Sequence, residues 1–268
     1  MTTTVSADGT AIGYRRVGSG PALVLVDGAL CYHGSTPNDA LAAELAGRFT
    51  VYTYDRRGRG ESGDTRPYDV EREVEDVAAV VKEAGGTAGL FGISSGAALV
   101  LQAAHRGVPA GRIAVYEPPF IVDRIRKPVP DEYPARLEGA LDAGRPGDAV
   151  KIFMTAGVGL PAPMVALMRL MPAWSKMKRV AHTLPYDTAV MDGHQAGRPL
   201  PAGRWSAIMA PSLVVDGGKS PEWMRNGVAA LAAQLPGSEY RTLPGQTHLV
   251  KATALAPVLA EFFARPSS

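Results

Sequence analysis

The segment Gly92-Ile93-Ser94-Ser95-Gly96 constrains this chain more than any other, because it joins two runs that favour different backbones. Residues 87–91 are short and largely apolar, as in a strand, and residues 97–104 are small and apolar, as in a helix packed on a sheet. A strand that becomes a helix over so few residues needs small residues at both ends, since a side chain at Gly92 or Gly96 would strike the neighbouring strand or helix. Such a turn also strains its middle residue and aims that side chain outward, above a helix N-terminus. Here that residue is Ser94. The pattern has only three fixed positions and recurs by chance, so its meaning comes from the strand and helix around it.

The rest of the chain repeats this alternation. Residues 2–6 and 11–17 alternate in polarity around Ala7-Asp8-Gly9-Thr10, which predicts an opening antiparallel hairpin. The run Ala22-Leu23-Val24-Leu25-Val26 predicts a strand buried on both faces. Strands are further predicted over 49–54, 112–116, 212–215 and 239–243. Helices are predicted over 39–46, 70–84, 222–235 and 255–264, with Val74, Val77, Val80 and Val81 on one side of the second. Strands alternating with helices imply an α/β fold with a mainly parallel sheet covered on both faces. At 268 residues the chain accommodates one large core with an insertion. The segment 121–205 breaks the rhythm: it is rich in proline and carries Met154, Met164, Met168, Met171, Met177 and Met191. It reads as a helical cap inserted between strands of a core formed by 1–120 and 206–268, lying above the sheet ends that carry Ser94.

Charge narrows the partners. A net charge of +2 leaves no basic stripe for phosphates, and Arg56, Arg57 and Arg59 are offset nearby by Asp55, Glu61 and Asp64. A nucleic-acid partner is not expected. Residues 1–10 have neither a basic start nor an apolar stretch, and no run approaches about 18 apolar residues, so the expectation is a cytoplasmic protein without a membrane partner. The single cysteine, Cys31, excludes an internal disulfide and suits a reducing compartment.

A serine hydroxyl is a poor nucleophile at neutral pH, so Ser94 needs a general base and a carboxylate to orient that base. Of the histidines His33, His105, His182, His194 and His248, the last is best placed: it lies in a loop between the final strand and the final helix, on the sheet edge where Ser94 emerges. His105 falls too far along the helix after Ser94 to serve. Attack on a carbonyl also needs two backbone N–H donors for the oxyanion. Ser95 follows the nucleophile and supplies one; Ala29, in the loop after the third strand, supplies the other by position. Asp27 in that loop reads equally as a buried carboxylate that braces it.

Four blocks in one order now carry a resemblance: Val26-Asp27-Gly28, Tyr54-Asp55-Arg56-Arg57-Gly58-Arg59-Gly60-Glu61-Ser62, Gly92-Ile93-Ser94-Ser95-Gly96, and Gly245-Gln246-Thr247-His248. From about residue 22 to its end the chain resembles the α/β-hydrolase superfamily. The resemblance implies an eight-stranded, mostly parallel sheet with an antiparallel second strand, a helical cap after the sixth strand, and a serine-histidine-acid mechanism. Two positions depart from the pattern. Asp27 stands where relatives often have histidine, and Ser220 stands where the acid is usual, after the seventh strand. Glu117, directly after the sixth strand, is the preferred replacement, in the placement used by haloalkane dehalogenases and polyketide thioesterase domains; Asp216 is the alternative acid. Either residue reads otherwise as a structural carboxylate capping a turn.

With serine in place of the aspartate nucleophile of dehalogenases and epoxide hydrolases, the expected reaction is cleavage of a small to medium apolar ester, thioester or lactone through an acyl-enzyme, with no cofactor and no metal. The expected partner is a small-molecule substrate, and the assembly a monomer or homodimer. His33, Met154 and Trp174 are candidate pocket residues, the methionines suiting an adaptable apolar site or else packing the cap helices together. Two rivals stand beside this reading. The same serine-histidine pair could run carbon-carbon hydrolysis, perhydrolysis or a lyase or cyclase step, or the chain could be a ligand-binding protein with weak turnover.

Overall fold

The computed structural model describes residues 2–191 and 193–265; Met1, Asp192 and residues 266–268 lie outside it. Eight strands form one sheet: β1 (Thr2–Val5), β2 (Ala11–Gly18), β3 (Ala22–Val26), β4 (Thr50–Tyr54), β5 (Ala88–Ile93), β6 (Ala110–Tyr116), β7 (Ser212–Gly217) and β8 (Glu239–Leu243), in the spatial order β1-β2-β4-β3-β5-β6-β7-β8. β2 is antiparallel to both of its neighbours, and the remaining neighbouring pairs are parallel.

The continuous apolar runs follow from burial on both faces. Alternate residues of a strand point to opposite sides. Leu23 and Leu25 pack with α1 (Pro37–Leu45) and α10 (Ala252–Phe263), while Val24 and Val26 pack with α2 (Val70–Glu83), α3 (Ser95–His105) and α9 (Glu222–Ala232). The valine stripe of α2 faces this second layer, with Val77 and Val80 fully buried. Each such side chain contributes roughly 1.5–3 kcal/mol of burial. α1 starts two residues before the predicted Asp39, because Thr36 accepts from the Asn38 N–H at 3.0 Å and Pro37 is preset for the first turn.

Between β6 and β7 the chain forms α4 (Tyr133–Asp142), α5 (Pro146–Ile152), α6 (Ala162–Met168), α7 (Pro172–Arg179) and α8 (Leu184–Val190). Leu137, Val150, Val165, Trp174 and Leu184 make a separate apolar cluster there, which Leu30 of the β3–α1 loop joins. These helices therefore seat on that loop. The end of α8 and the chain that follows, with Val190, Met191, Leu200 and Trp205, pack into the sheet's own core. Among the described residues, no helix is long and apolar enough to cross a membrane.

β3 lies between β4 and β5, so the chain leaves β3 toward one side of the sheet and returns to continue on the other. The crevice at such a reversal, outside the carboxyl ends of the strands, is where open α/β sheets place their sites. Here it is walled by Asp27, Gly28 and Ala29 after β3 and by Ser94 after β5.

Candidate active site

Ser94 has φ 58° and ψ −127°, a left-handed conformation that non-glycine residues rarely adopt. Its surroundings require the two glycines beside it. A Cβ on Gly92 would lie 2.3 Å from the Gly96 carbonyl oxygen, and one on Gly96 would lie 2.4 Å from the Val26 carbonyl oxygen. α3 can thus start close against β5 and the end of β3. The Ser94 N–H donates to the Tyr116 carbonyl at 3.0 Å, which ties the turn to the end of β6. On the other side, a Cβ on Gly28 would lie 3.0 Å from Ser94 Cβ and 3.5 Å from its Oγ, so the loop after β3 lies against the serine.

Glu117 follows β6 with φ 45° and is fully buried. Its N–H donates to the Val215 carbonyl at 3.1 Å, which pins it beside β7. Oε1 accepts from the Gly217 N–H at 2.7 Å, and Oε2 lies 2.9 Å from His248 Nδ1. A carboxylate can only accept, so the hydrogen of that contact is on Nδ1 and the neutral ring keeps Nε2 as its proton acceptor. The loop carrying His248 is held from below. The Tyr116 hydroxyl donates to the Thr247 carbonyl at 2.7 Å and the Lys219 N–H to the Gln246 carbonyl at 2.8 Å.

Asp216 is engaged elsewhere: it is fully buried on β7 and its Oδ2 accepts from the Tyr240 hydroxyl at 2.7 Å. Ser220, where the acid is usual, is buried, and its Oγ has no hydrogen-bond partner among the described residues. Glu117 and His248 are therefore brought together, while Asp216 and Ser220 are not brought to the ring.

Ser95 opens α3, where the first amides of a helix have no partner within it. Ala29 lies in the loop against Ser94. Asp27, beside it, is buried and accepts from the Thr36 hydroxyl. Burial lifts its carboxyl to about 7, against the pull of Thr36 and the Arg59 charge. Cys31 is likewise pushed up to about 12, chiefly by burial, which makes it a poor nucleophile.

The arginine block departs from the expectation. Asp55, Glu61 and Asp64 do not neutralise Arg56, Arg57 and Arg59, because the three side chains turn inward and are almost fully buried. Buried guanidiniums need directly bonded carboxylates. Arg56 pairs with Glu73 at 2.6 Å and Asp187 at 2.7 Å, Arg57 with Asp76 at 2.7 Å and Asp8 at 2.9 Å, and Arg59 with Asp187 at 2.7 Å. Asp55 instead accepts from the His33 and Glu61 backbone N–H groups at 2.6 and 2.9 Å. Asp187 had no motif to mark it, although it is the only acid between Asp148 and Asp192, and three arginines in one turn demanded carboxylates from somewhere.

Of the other pocket candidates, His33 bonds Asp39 at 3.0 Å and lines a polar cleft of about 370 Å³ with Arg15, Tyr32 and Arg179. Trp174 is buried in the inserted helices' own cluster, and Met154 packs half-buried against that cluster. Among the described residues, no group of histidine, cysteine and carboxylate side chains could hold a metal ion.

A family model described as the alpha/beta hydrolase family matches residues 20–257. A solved alpha/beta hydrolase from Sphaerobacter thermophilus is 52% identical, with a TM-score of 0.91 over 98% of this chain and 100% of that one. The enol-lactonase from Burkholderia xenovorans, at 20% identity, superposes with a TM-score of 0.71 over 98% of this chain and 100% of its own. A thermophilic esterase from Thermogutta terrifontis, also at 20%, superposes with a TM-score of 0.70 over 97% of each chain. The last two share the fold.

Proposed function

The chain belongs to the alpha/beta hydrolase family, and from that premise we propose that it is a serine hydrolase of small to medium apolar esters, thioesters or lactones, working through an acyl-enzyme. The observation that carries this reading is the 2.9 Å contact of His248 Nδ1 with the buried Glu117 carboxylate, which leaves Nε2 as base. In the proposed reaction Ser94 Oγ attacks the carbonyl carbon and its proton passes to His248 Nε2. Negative charge on the carbonyl oxygen is met by the Ala29 and Ser95 N–H groups. The bond to the leaving oxygen or sulfur breaks as His248 returns the proton to it. Water then attacks the acyl carbon, gives a proton to Nε2, and the acid departs as Ser94 recovers its hydrogen. Glu117 stabilises the imidazolium in both halves and stays ionised.

In this reading the helices between β6 and β7 form a cap over the site. Their own apolar cluster and their contact with Leu30 support the assignment.

The names of the fold neighbours make p-nitrophenyl esters and enol-lactones the first substrates to assay. The reading expects ester turnover together with labelling of Ser94 by a fluorophosphonate, both abolished in Ser94→Ala. Folded wild-type protein that neither turns over ester nor takes the label would sink it, and would favour a binding protein on the same fold.

A further inference from the structure

One carboxylate from the inserted helices reaches both flanks of the nucleophile turn. Asp187, on α8, is buried; its Oδ1 accepts from Ser95 Oγ at 2.7 Å and Arg56 Nη1 at 2.7 Å, and its Oδ2 accepts from Arg59 Nη2 at 2.7 Å. Arg59 carries the constraint onward. Its Nη1 donates to the Gly28 carbonyl at 2.7 Å, and its Nε to Thr183 Oγ1 at 3.0 Å. Arg56 Nη1 also donates to the Asp27 carbonyl at 3.3 Å, while Glu73 clamps its other face at 2.6 and 2.7 Å.

The carbonyl and N–H of a trans peptide point in opposite directions. With the Gly28 carbonyl turned onto Arg59, the Ala29 N–H of the same peptide is turned away from Arg59. On the other flank, the Ser95 hydroxyl is tied to Asp187, so the residue that opens α3 is held through its side chain. The Gly28–Ala29 peptide after β3 and Ser95 at the start of α3 thus both connect to one side chain from a third place in the chain, the first through Arg59 and the second directly.

We propose that Asp187 is a positioning residue for the oxyanion donors, aligning Ala29 through Arg59 and Ser95 directly, so that donor geometry depends on the inserted helices being seated. The proposal rests on the hydrolase reading above. It gives those helices a part in the chemistry besides covering the site, because donors aimed before the reaction need no reorganisation during it.

Two variants test it on a p-nitrophenyl ester, under conditions where circular dichroism shows each to be folded. Asp187→Asn keeps the shape but loses the charge and one acceptor oxygen; Ser95→Ala loses only a hydroxyl. The expected result is a fall in kcat on the order of ten- to a hundredfold for Asp187→Asn and about threefold or more for Ser95→Ala, with KM within about twofold of wild type. Affinity for a boronic acid, which forms a tetrahedral adduct on Ser94, should fall by the same factor as kcat/KM. A residue that only held the fold would lower the melting temperature without this parallel fall. Unchanged kcat in either folded variant overturns the proposal, and should Asp187→Asn not fold, Ser95→Ala decides alone. Failure of wild type to label at Ser94 would count against the hydrolase reading instead. A crystal structure of whichever variant folds then judges the positioning role by itself: donor peptides in their wild-type orientation would overturn it, and displaced ones would support it.

Discussion

His248 Nδ1 lies 2.9 Å from Glu117 Oε2, while the other oxygen of the same carboxylate takes the Gly217 N–H at 2.7 Å. The acid is thus fixed by β7 and the histidine by the acid, although the two residues are 131 positions apart. Glu117→Gln keeps the size but offers no charge to an imidazolium. Turnover of a chromogenic ester is expected to fall by on the order of a hundredfold or more, with KM nearly unchanged. Asp216→Asn is expected to stay within about threefold of wild type, since Asp216 serves Tyr240. The reverse pattern would transfer the role to Asp216.

Ser220 offers a contrast. Its hydroxyl is buried without a partner among the described residues, so it loses hydration and gains nothing in return. Ser220→Ala is expected to leave turnover unchanged and to raise stability by up to about 1 kcal/mol in urea denaturation. Ser220→Asp, which places a carboxylate where relatives usually carry their acid, is expected to destabilise, because the side chain is buried and the carboxylate would lose its hydration there. A variant as stable as wild type in the same denaturation would contradict this.

Gly96 is predicted to be irreplaceable, as is Gly92, whose own Cβ would lie 2.3 Å from the Gly96 carbonyl oxygen. A Cβ on Gly96 would lie 2.4 and 2.5 Å from the Val26 and Asp27 carbonyl oxygens, and backbone cannot step aside as a side-chain tip can. Gly96→Ala is expected to cost about 2–3 kcal/mol or more and to lose fluorophosphonate labelling even where the protein remains folded. Labelling at the wild-type rate would mean the turn tolerates a wider gap between α3 and β3.

Asp27 sets a pH dependence. Its carboxyl is raised by burial from 3.8 to about 7 in the folded chain. Between pH 4 and 7 the folded protein therefore holds a proton that the unfolded chain has released, and the stability contributed by this residue falls as pH rises through that window and levels off above it. Asp27→Asn removes the dependence. Relative to wild type the variant should gain up to about 4 kcal/mol between pH 4 and pH 8. Denaturation curves at several pH values check this; a constant difference between the two proteins would refute it.

Asp8 acts in the opposite sense. Burial opposes its ionisation, but Arg57 and Thr10 outweigh it and hold the carboxyl at about 2. The stability it adds is complete above about pH 4 and is lost as pH falls toward 2. Asp8→Asn is expected to cost about 2 kcal/mol at pH 6, with the deficit shrinking in acid.

Local pattern carried much of this protein. The apolar run of β3, the valine stripe of α2 and the paired glycines around Ser94 are each decided by neighbours in the chain, because alternation, helical spacing and turn sterics act over a few residues. Together with the order of four motifs they determined the fold class and singled out Ser94 and the loop that carries His248 as candidates. The preference for Glu117 over Asp216 came from the resemblance, because local pattern does not separate the two. Both residues end apolar strands, and which carboxylate meets the ring depends on how β6 and β7 lie beside each other and on the backbone at Glu117, with φ 45°. The partners of Arg56 and Arg59 were equally hidden. Their nearest acids in sequence are not the acids they bind, because a side chain driven into the interior must be neutralised by whatever folding brings there, and here that is Glu73 from α2 and Asp187 from a helix some 130 residues away.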